Sequence, residues 1–374
     1  MGSGPDGQHR VCRHGRPQDN DFSGGGGGGR AGEVRQLGVF PSRAEVIAKL
    51  VRRLAVEGRD LRFCYEAGPC GYGLQRRIEG LGHSCEVVAP SLIPTRPGDR
   101  VKTDRRDALG LAKLHRAGEL TSVWIPDAAH EAMRDLIRAR ATAVRVLGKA
   151  RQHLQGFLPR HDRIHAGRRA WTVAYRRWLT TLRFEHPAQQ IVLQDYIHSV
   201  QSAEQRVVRL VEQIAALLPS WSLAPAVRAL QAMRGVALIV AVTVAAEVGD
   251  FSRFAKPRQL MAYLGLVPSE RSSGSTTRRG GITKAGNAHA RWILIEVIQH
   301  AYLPPKVSAP LALRQQGQPK EYRELSWKIQ TRLHKRGWHL LRRGVMKAKV
   351  NVALARELCG FVWDLLGRVP APKP

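Results

Sequence analysis

Leu61-Arg62-Phe63-Cys64-Tyr65-Glu66 is a short apolar run closed by a carboxylate, followed by the turn residues Ala67-Gly68-Pro69-Cys70-Gly71. A run this short, bounded by Gly and Pro, predicts a buried strand from Leu61 to Tyr65 rather than a helix. A helix follows from about Leu74 to Leu81, and Cys85 to Ala89 reads as a second strand. Upstream, the pattern becomes regular from Ser42, where Val46, Ile47, Leu50, Val51 and Leu54 mark one apolar helical face that ends near Gly58. Downstream, the loop Pro90 to Pro97 leads into a helix from about Asp104 to Ala117, with Ser122 to Ile125 as a third strand. Strands alternating with helices predict an α/β domain over residues 34–127.

Residues 1–33 read differently. They scatter Gly, Asp, Arg and His around the run Gly24 to Gly29, and no strand or helix is expected there. Beyond Pro126 the pattern is all-α, with helices near His130 to Phe157, Ala170 to Leu182 and Pro187 to Leu218. Val200, Val207, Val211, Ile214 and Leu218 fall at the spacings of a helical seam, so residues 128–222 predict an antiparallel coiled-coil arm. Residues 223–320 form a further compact region. There Met233 to Phe254 reads as two helices around a Gly-containing turn, followed by a loop rich in Ser, Thr, Gly and Arg. A basic helical tail occupies residues 321–374.

Lys and Arg number 60 against 30 Asp and Glu, for a formal charge of +30 and a pI near 11.1. Such an excess is far from that of a metabolic enzyme and points to a polyanionic partner. The most apolar run, Val236 to Val248, is too short to span a membrane, and no signal-peptide pattern opens the chain. Five cysteines without paired C-x-x-C spacing argue against a disulfide framework and a zinc module, and place the chain in the cytoplasm.

Three carboxylates draw attention. Glu66 closes the first strand, and Asp104 and Asp107 share a helical face in Lys102-Thr103-Asp104-Arg105-Arg106-Asp107. Carboxylates from a strand end and a helix start suit Mg²⁺, a hard cation that also takes phosphate oxygens. The alternative is that the two aspartates are helix-start acids behind a Thr103 cap. The segment from Gly265 to Gly281 and on to Asn287 sets Ser272, Ser273 and Ser275 among Arg271, Arg278, Arg279, Lys284 and several glycines. Its serines either attack a phosphodiester, needing an activator that no local His/Asp pair provides, or merely share a loop that contacts phosphates.

Taken in order, several blocks resemble the insertion-sequence 110/1111 family of DEDD-type transposases, some of them guided by a bridge RNA. These blocks are Glu66-Ala67-Gly68-Pro69 with Tyr72-Gly73, Lys102-Thr103-Asp104 with Asp107-Ala108, and Met233-Arg234-Gly235-Val236. Glu247-Val248-Gly249-Asp250-Phe251, Tyr263-Leu264-Gly265-Leu266-Val267-Pro268, Ser273-Gly274 and Thr283-Lys284-Ala285-Gly286-Asn287 continue the series. The resemblance implies an RNase H-like (RuvC-like) domain with Mg²⁺ on its carboxylates, the arm, and a mainly α C-terminal transposase domain with a helix-hairpin-helix element. It makes Glu66, Asp104 and Asp107 the second to fourth carboxylates and Ser273 the nucleophile that links covalently to DNA. It also implies a homo-oligomer, either tetramer or dimer. The family's first carboxylate would fall near Gly15, where no aspartate stands, so the first strand and its ligand are expected to be lost. That departure leaves two alternatives to an active transposase: a catalytically defective nucleic-acid-binding remnant, and a metal-dependent junction-resolving nuclease.

Arg134, Arg138, Arg145 and Lys149 lie on the long helix at spacings of four, seven and four, predicting a basic stripe. With Arg278, Arg279 and Lys284 they form the expected nucleic-acid contacts. Arginines around Trp171, Tyr175 and Trp178 extend the positive region, those aromatics being either base-stacking groups or core. The expected partners are DNA ends, target DNA and a bridge RNA, in a cytoplasmic, nucleoid-associated protein.

Overall fold

The computed structural model describes residues 8–14, 19–25, 34–55, 61–68, 70–94, 103–273 and 276–370. The chain divides into two units at Ile125 and Pro126.

The first unit is built on a five-stranded sheet. Its strands are β1 (Gln8–His14), β2 (Asp19–Gly25), β3 (Val34–Pro41), β4 (Leu61–Glu66) and β5 (Ser84–Val88). Their spatial order is β3-β2-β1-β4-β5. β1, β2 and β3 form an antiparallel meander, whereas β1, β4 and β5 run parallel. Three helices complete the unit: α1 (Ala44–Leu54), α2 (Gly73–Glu79) and α3 (Asp104–Ala117). The alternation of β4 explains the layering. Leu61, Phe63 and Tyr65 pack with Ile47, Leu50 and Val51 of α1 and Leu74 and Ile78 of α2. Cys64 points the other way, with Val88, against Leu111 and Ala112 of α3. Helices therefore cover both faces of β4.

The sequence expectation for residues 1–33 is corrected here: β1 and β2 occupy part of that stretch. Strand pairing satisfies backbone N–H and C=O groups whatever the side chains are, and β4 offers β1 a parallel register from Gln8 opposite Leu61 to Cys12 opposite Tyr65. A polar, Gly-rich composition bears on burial rather than on pairing. The third strand expected at Ser122 to Ile125 reduces to a single bridge between Val88 and Ser122. Gly15, Gly26 to Gly29, Gly58 and residues 95–102 lie outside the described residues.

The second unit opens with α4 (Ala128–Phe157), α5 (Val173–Thr181) and α6 (Pro187–Leu217). Leu154 shares a core with Leu193, Leu147 with Val200, and Ile137 with Ile214, a pairing that makes α4 and α6 antiparallel. Asp127 caps α4 by accepting from the His130 N–H at 2.7 Å. The remainder comprises α7 (Ala224–Gln231), α8 (Leu238–Val248), α9 (Pro257–Tyr263), β6 (Pro268–Ser273), β7 (Thr276–Ile282), α10 (Ala288–Val297), α11 (Ala309–Gln315), α12 (Lys320–Arg342) and α13 (Lys347–Gly367). α8 is apolar on every side because it is the centre of this core, and its residues from Ala241 to Val248 are all buried. The helix pair read over Met233 to Phe254 is instead α7 and α8, flanking a turn in which Gly235 takes φ +80°. No single helix among the described residues is long and apolar enough to cross a membrane.

Candidate active site

The Ser/Thr/Gly/Arg segment is a β-hairpin rather than a loop. β6 and β7 pair antiparallel, with Ser273 opposite Thr276, Ser272 opposite Thr277 and Arg271 opposite Arg278. Alternation is invisible in Pro268-Ser269-Glu270-Arg271-Ser272-Ser273 because few of its side chains are apolar, so only the pairing reveals the strand. Ser273 is exposed and is the last β6 residue before the hairpin tip. Arg278 and Arg279 are exposed on β7, where Arg279 pairs with Glu270 at 3.3 Å. Lys284 is exposed at the hairpin root, with φ +55°.

That root is clamped by close backbone approach. The Thr283 N–H donates to Val267 O at 2.9 Å, Lys284 N–H to Gly265 O at 3.2 Å, and Asn287 N–H to Tyr263 O at 3.3 Å. A side chain at Gly286 (φ +67°) would collide with the Tyr263 carbonyl, and one at Gly265 (φ +63°) with Ala285. Both positions thus require glycine sterically as well as conformationally. Arg291 holds the same turn by donating to the carbonyls of Leu264 and Ala285 at 2.8 and 3.0 Å.

Beneath the root lies Glu247, fully buried in α8. Its Oε1 accepts from Arg138 Nε at 2.9 Å and meets His289 Nδ1 at 3.0 Å. Its Oε2 accepts from Arg138 Nη2 at 2.9 Å and Asn287 Nδ2 at 2.7 Å. Burial alone would raise this carboxyl's pKa, but the bonds from His289, Arg138 and Asn287 prevail and hold it well below the usual range. Asn287 serves twice, since its Oδ1 accepts from Ala290 N–H and caps α10. The Glu247 network thereby joins α4, α8 and the segment that follows the serine hairpin.

Two members of the expected basic stripe have partners within the protein. Arg134 is buried and donates through Nε to Ala246 O at 2.9 Å, beside His130 Nε2 on the same oxygen at 2.8 Å. Arg138 is committed to Glu247. Both sit on the side of α4 that packs on α8, where cations meet the last carbonyls of a helix. Arg145 and Lys149, farther along α4, are exposed, and Arg145 also donates to Thr142 at 2.9 Å. Around α5, Tyr175 is buried and Trp171 and Trp178 pack against its core, with Arg151 4.9 Å above the Trp171 ring.

In the first unit, Glu66 ends β4 and Asp107 is half-buried in α3. Thr103 caps α3, its hydroxyl accepting from Arg106 N–H at 3.3 Å. The Asp104 side chain lies outside the described residues, and among those described no three His, Cys, Asp or Glu side chains gather to hold a metal ion. β1, Gln8-His9-Arg10-Val11-Cys12-Arg13-His14, contains no carboxylate. The expectation of a lost first strand thus divides in two: the strand is present, and it carries no acid.

The residues that sequence reading missed are the supports of the hairpin, His289 and Arg291, and the role of Glu247. A signal existed in Leu238-Ile239-Val240-Ala241-Val242-Thr243-Val244-Ala245-Ala246-Glu247-Val248, where a lone acid in an otherwise apolar helix must have partners.

A formal charge of +30 and an exposed, arginine-bearing hairpin point to a polyanionic partner. Known proteins agree and make the class transposase. Over 90% of this chain and 83% of its own length, "Putative transposase y4qE" of Sinorhizobium fredii is 51% identical. "Transposase for insertion sequence element IS1533" of Leptospira borgpetersenii is 31% identical over 78% of this chain and 85% of its own. Residues 40–161 match the DEDD transposase family of IS110, and residues 227–309 match the family described as Transposase IS116/IS110/IS902. The chain belongs to the IS110/IS116/IS902 family of insertion-sequence transposases.

Proposed function

We propose that this transposase cuts and rejoins DNA with Ser273 as the nucleophile. Its hydroxyl oxygen attacks a backbone phosphorus and displaces a 3′- or 5′-oxygen, which leaves as a hydroxyl by taking up the proton the serine loses, so that the strand is esterified to the protein. The observation that carries this reading is the exposed Ser273 at the end of a hairpin whose root is fixed by Glu247, Asn287 and Arg291. A nucleophile must be held within a fraction of an ångström of its line of attack, and a rigid root favours that. Arg278, on the hairpin face that carries Ser273, supplies positive charge for the phosphate oxygens, whereas Arg279 lies on the opposite face with Glu270.

The parallel β1-β4-β5 core with its antiparallel β1-β2-β3 meander supports an RNase H-like reading of the first unit. Glu66 lies two residues after Cys64 on the face covered by α3, and Asp107 lies one turn before Leu111, which packs on that face. Together with Asp104, these oxygen donors fit a divalent cation such as Mg²⁺. Bound there, it would supply Lewis acidity toward a phosphate oxygen. The basic residues contact phosphates, which carry no sequence information, so we assign targeting to a bridge RNA acting in a homo-oligomer.

The test is incubation of the purified protein with Mg²⁺, labelled element ends and the element's RNA, followed by denaturing electrophoresis. A DNA-protein adduct is expected for the wild type and absent from Ser273→Ala. An equal adduct in both would end the assignment. A second reading, a binding remnant without catalysis, is favoured by the missing β1 carboxylate, and an adduct in the wild type refutes it.

A further inference from the structure

The outer face of α12 carries two tryptophans among cations. Leu325, Ile329 and Leu333 turn the other side of this helix into the core. Outside, the exposed residues Trp327, Lys335, Trp338 and Arg342 follow one another at spacings of eight, three and four, which keeps them on one stripe. Trp327 is 49% and Trp338 41% exposed, so each leaves much of its indole in water. The Trp338 ring is held in place. Its Nε1 donates to Tyr302 O at 3.2 Å, and the rings of Tyr302 and His334 meet it edge-on, both at 6.4 Å. Its one polar atom is thereby satisfied within the protein, and what stays open is apolar ring surface. Lys347, 5.2 Å over the Tyr302 ring, adds a cation beside it. The acids nearby are already committed, Glu357 to Arg332 and Arg336, and Glu324 to Lys320. Among the described residues no acid pairs with Lys328, Lys335, Arg342 or Arg343.

We propose that this face of α12 binds an unpaired stretch of DNA strand, with bases stacked on Trp327 and Trp338 and phosphates against Lys335 and Arg342. Every base offers a π face once it leaves the duplex, whereas paired bases show only their edges in the grooves, so an exposed indole selects unpaired strand. The two tryptophans are eleven residues apart, about 16 Å along the helix, the length of roughly five stacked nucleotides. A second copy of the chain fits poorly, because a two-fold contact across this face would set Lys335 and Arg342 against their own counterparts. The choice of DNA rests on membership of the transposase family, whereas the stacking rests on the face alone. None of these residues belongs to the serine hairpin, the Glu247 network or the Met233–Val236 turn, so the surface holds strand apart from the proposed chemistry.

The full-length protein is titrated by fluorescence anisotropy with labelled single-stranded DNA, duplex DNA and RNA of one sequence. Trp327→Ala should weaken single-stranded DNA binding by roughly fivefold or more, Trp327→Phe should restore most of it, and duplex binding should change by less than roughly twofold. Unchanged single-strand affinity, or an equal loss on the duplex, would overturn the proposal. A strand with abasic sites in place of its bases should bind wild type and Trp327→Ala alike, since only phosphates are left to hold, and a persisting difference would overturn the stacking. Lys335→Gln/Arg342→Gln should lower the slope of log affinity against log salt by roughly 1 to 1.5 on the single strand, and an unchanged slope would overturn the phosphate contacts. Independently of any variant's folding, a bromodeoxyuridine-substituted strand irradiated with the wild type should crosslink to Trp327 or Trp338, as located by mass spectrometry. Crosslinks confined to other segments would overturn the proposal. So would a loss confined to the RNA, or an altered oligomeric state of Trp327→Ala in sedimentation without nucleic acid, which would give the face to a second copy. Ser273→Ala should bind as the wild type does, which separates failure here from failure of the serine mechanism.

Discussion

Replacing Glu247 by Gln preserves shape and removes charge. Because each carboxylate oxygen meets two partners, the amide NH₂ must face either Arg138 Nε and His289, or Arg138 Nη2 and Asn287. Facing Arg138 Nη2 and Asn287 it turns two of the four bonds into donor-donor contacts; facing the other pair it loses the bond to Arg138 Nε, and His289 keeps its contact only by changing tautomer. A hydrogen bond to a charged group is worth about 1.5–3 kcal/mol. The share belonging to Arg138 is discounted, since its side chain is 55% exposed and recovers water. A loss of about 2–4 kcal/mol remains. For a unit spanning Pro126–Pro374, that corresponds to a melting temperature lower by roughly 5–15 °C. Circular dichroism melts of the full chain check it, and Arg138→Gln alone should cost less. A Glu247→Gln melt within about 2 °C of wild type would refute the claim that this network holds the hairpin root.

Three further outcomes follow from the same geometry. Glu247 has a depressed folded-state pKa, so its contribution is complete above about pH 4.3 and is lost as pH falls through the folded value; acid unfolding of Glu247→Gln should be the less steep of the two, which pH-dependent melts will show. Gly286→Ala meets both a positive φ and the Tyr263 carbonyl and should cost about 2–4 kcal/mol, read from the urea midpoint. Arg134→Met should leave nonspecific DNA affinity nearly unchanged while lowering stability by about 1–2 kcal/mol, whereas Arg145→Gln/Lys149→Gln should reverse that pattern, as fluorescence anisotropy alongside thermal melts will tell.

Helices were legible wherever burial imposed a period. The start of α3 at Asp104, with its Thr103 cap, and the end of α6 near Leu217 follow from capping and seam residues alone. Strands were legible only where apolar side chains are buried in a short run, as in β4 and β5. β1, β2, β3 and the serine hairpin escaped: β1, β2 and the hairpin are polar or Gly-rich, β3 is interrupted by Gly38, and their order comes from backbone pairing, which leaves no mark in side-chain pattern. The spacing of the α4 arginines puts them on one stripe, but a stripe cannot be labelled solvent or partner until the packing of α8 is known. Arg134 and Arg145 thus looked alike and serve differently.

The use of a carboxylate at the buried centre needs its own account, because a well-packed apolar group there would be about as stable, or more so. What Glu247 adds is direction. Its two oxygens take bonds from α4 and from the first residues of α10, and each bond has a narrow range of angle and length. An apolar plug tolerates sliding of one helix on another, whereas this arrangement admits one relative setting. Asn287 converts that setting into a position for the hairpin, because the residue that bonds Glu247 also caps α10 and closes the root against Tyr263. The exposed serine is therefore registered against α4, and the lone acid in the most apolar run of the sequence is the residue through which that registration passes.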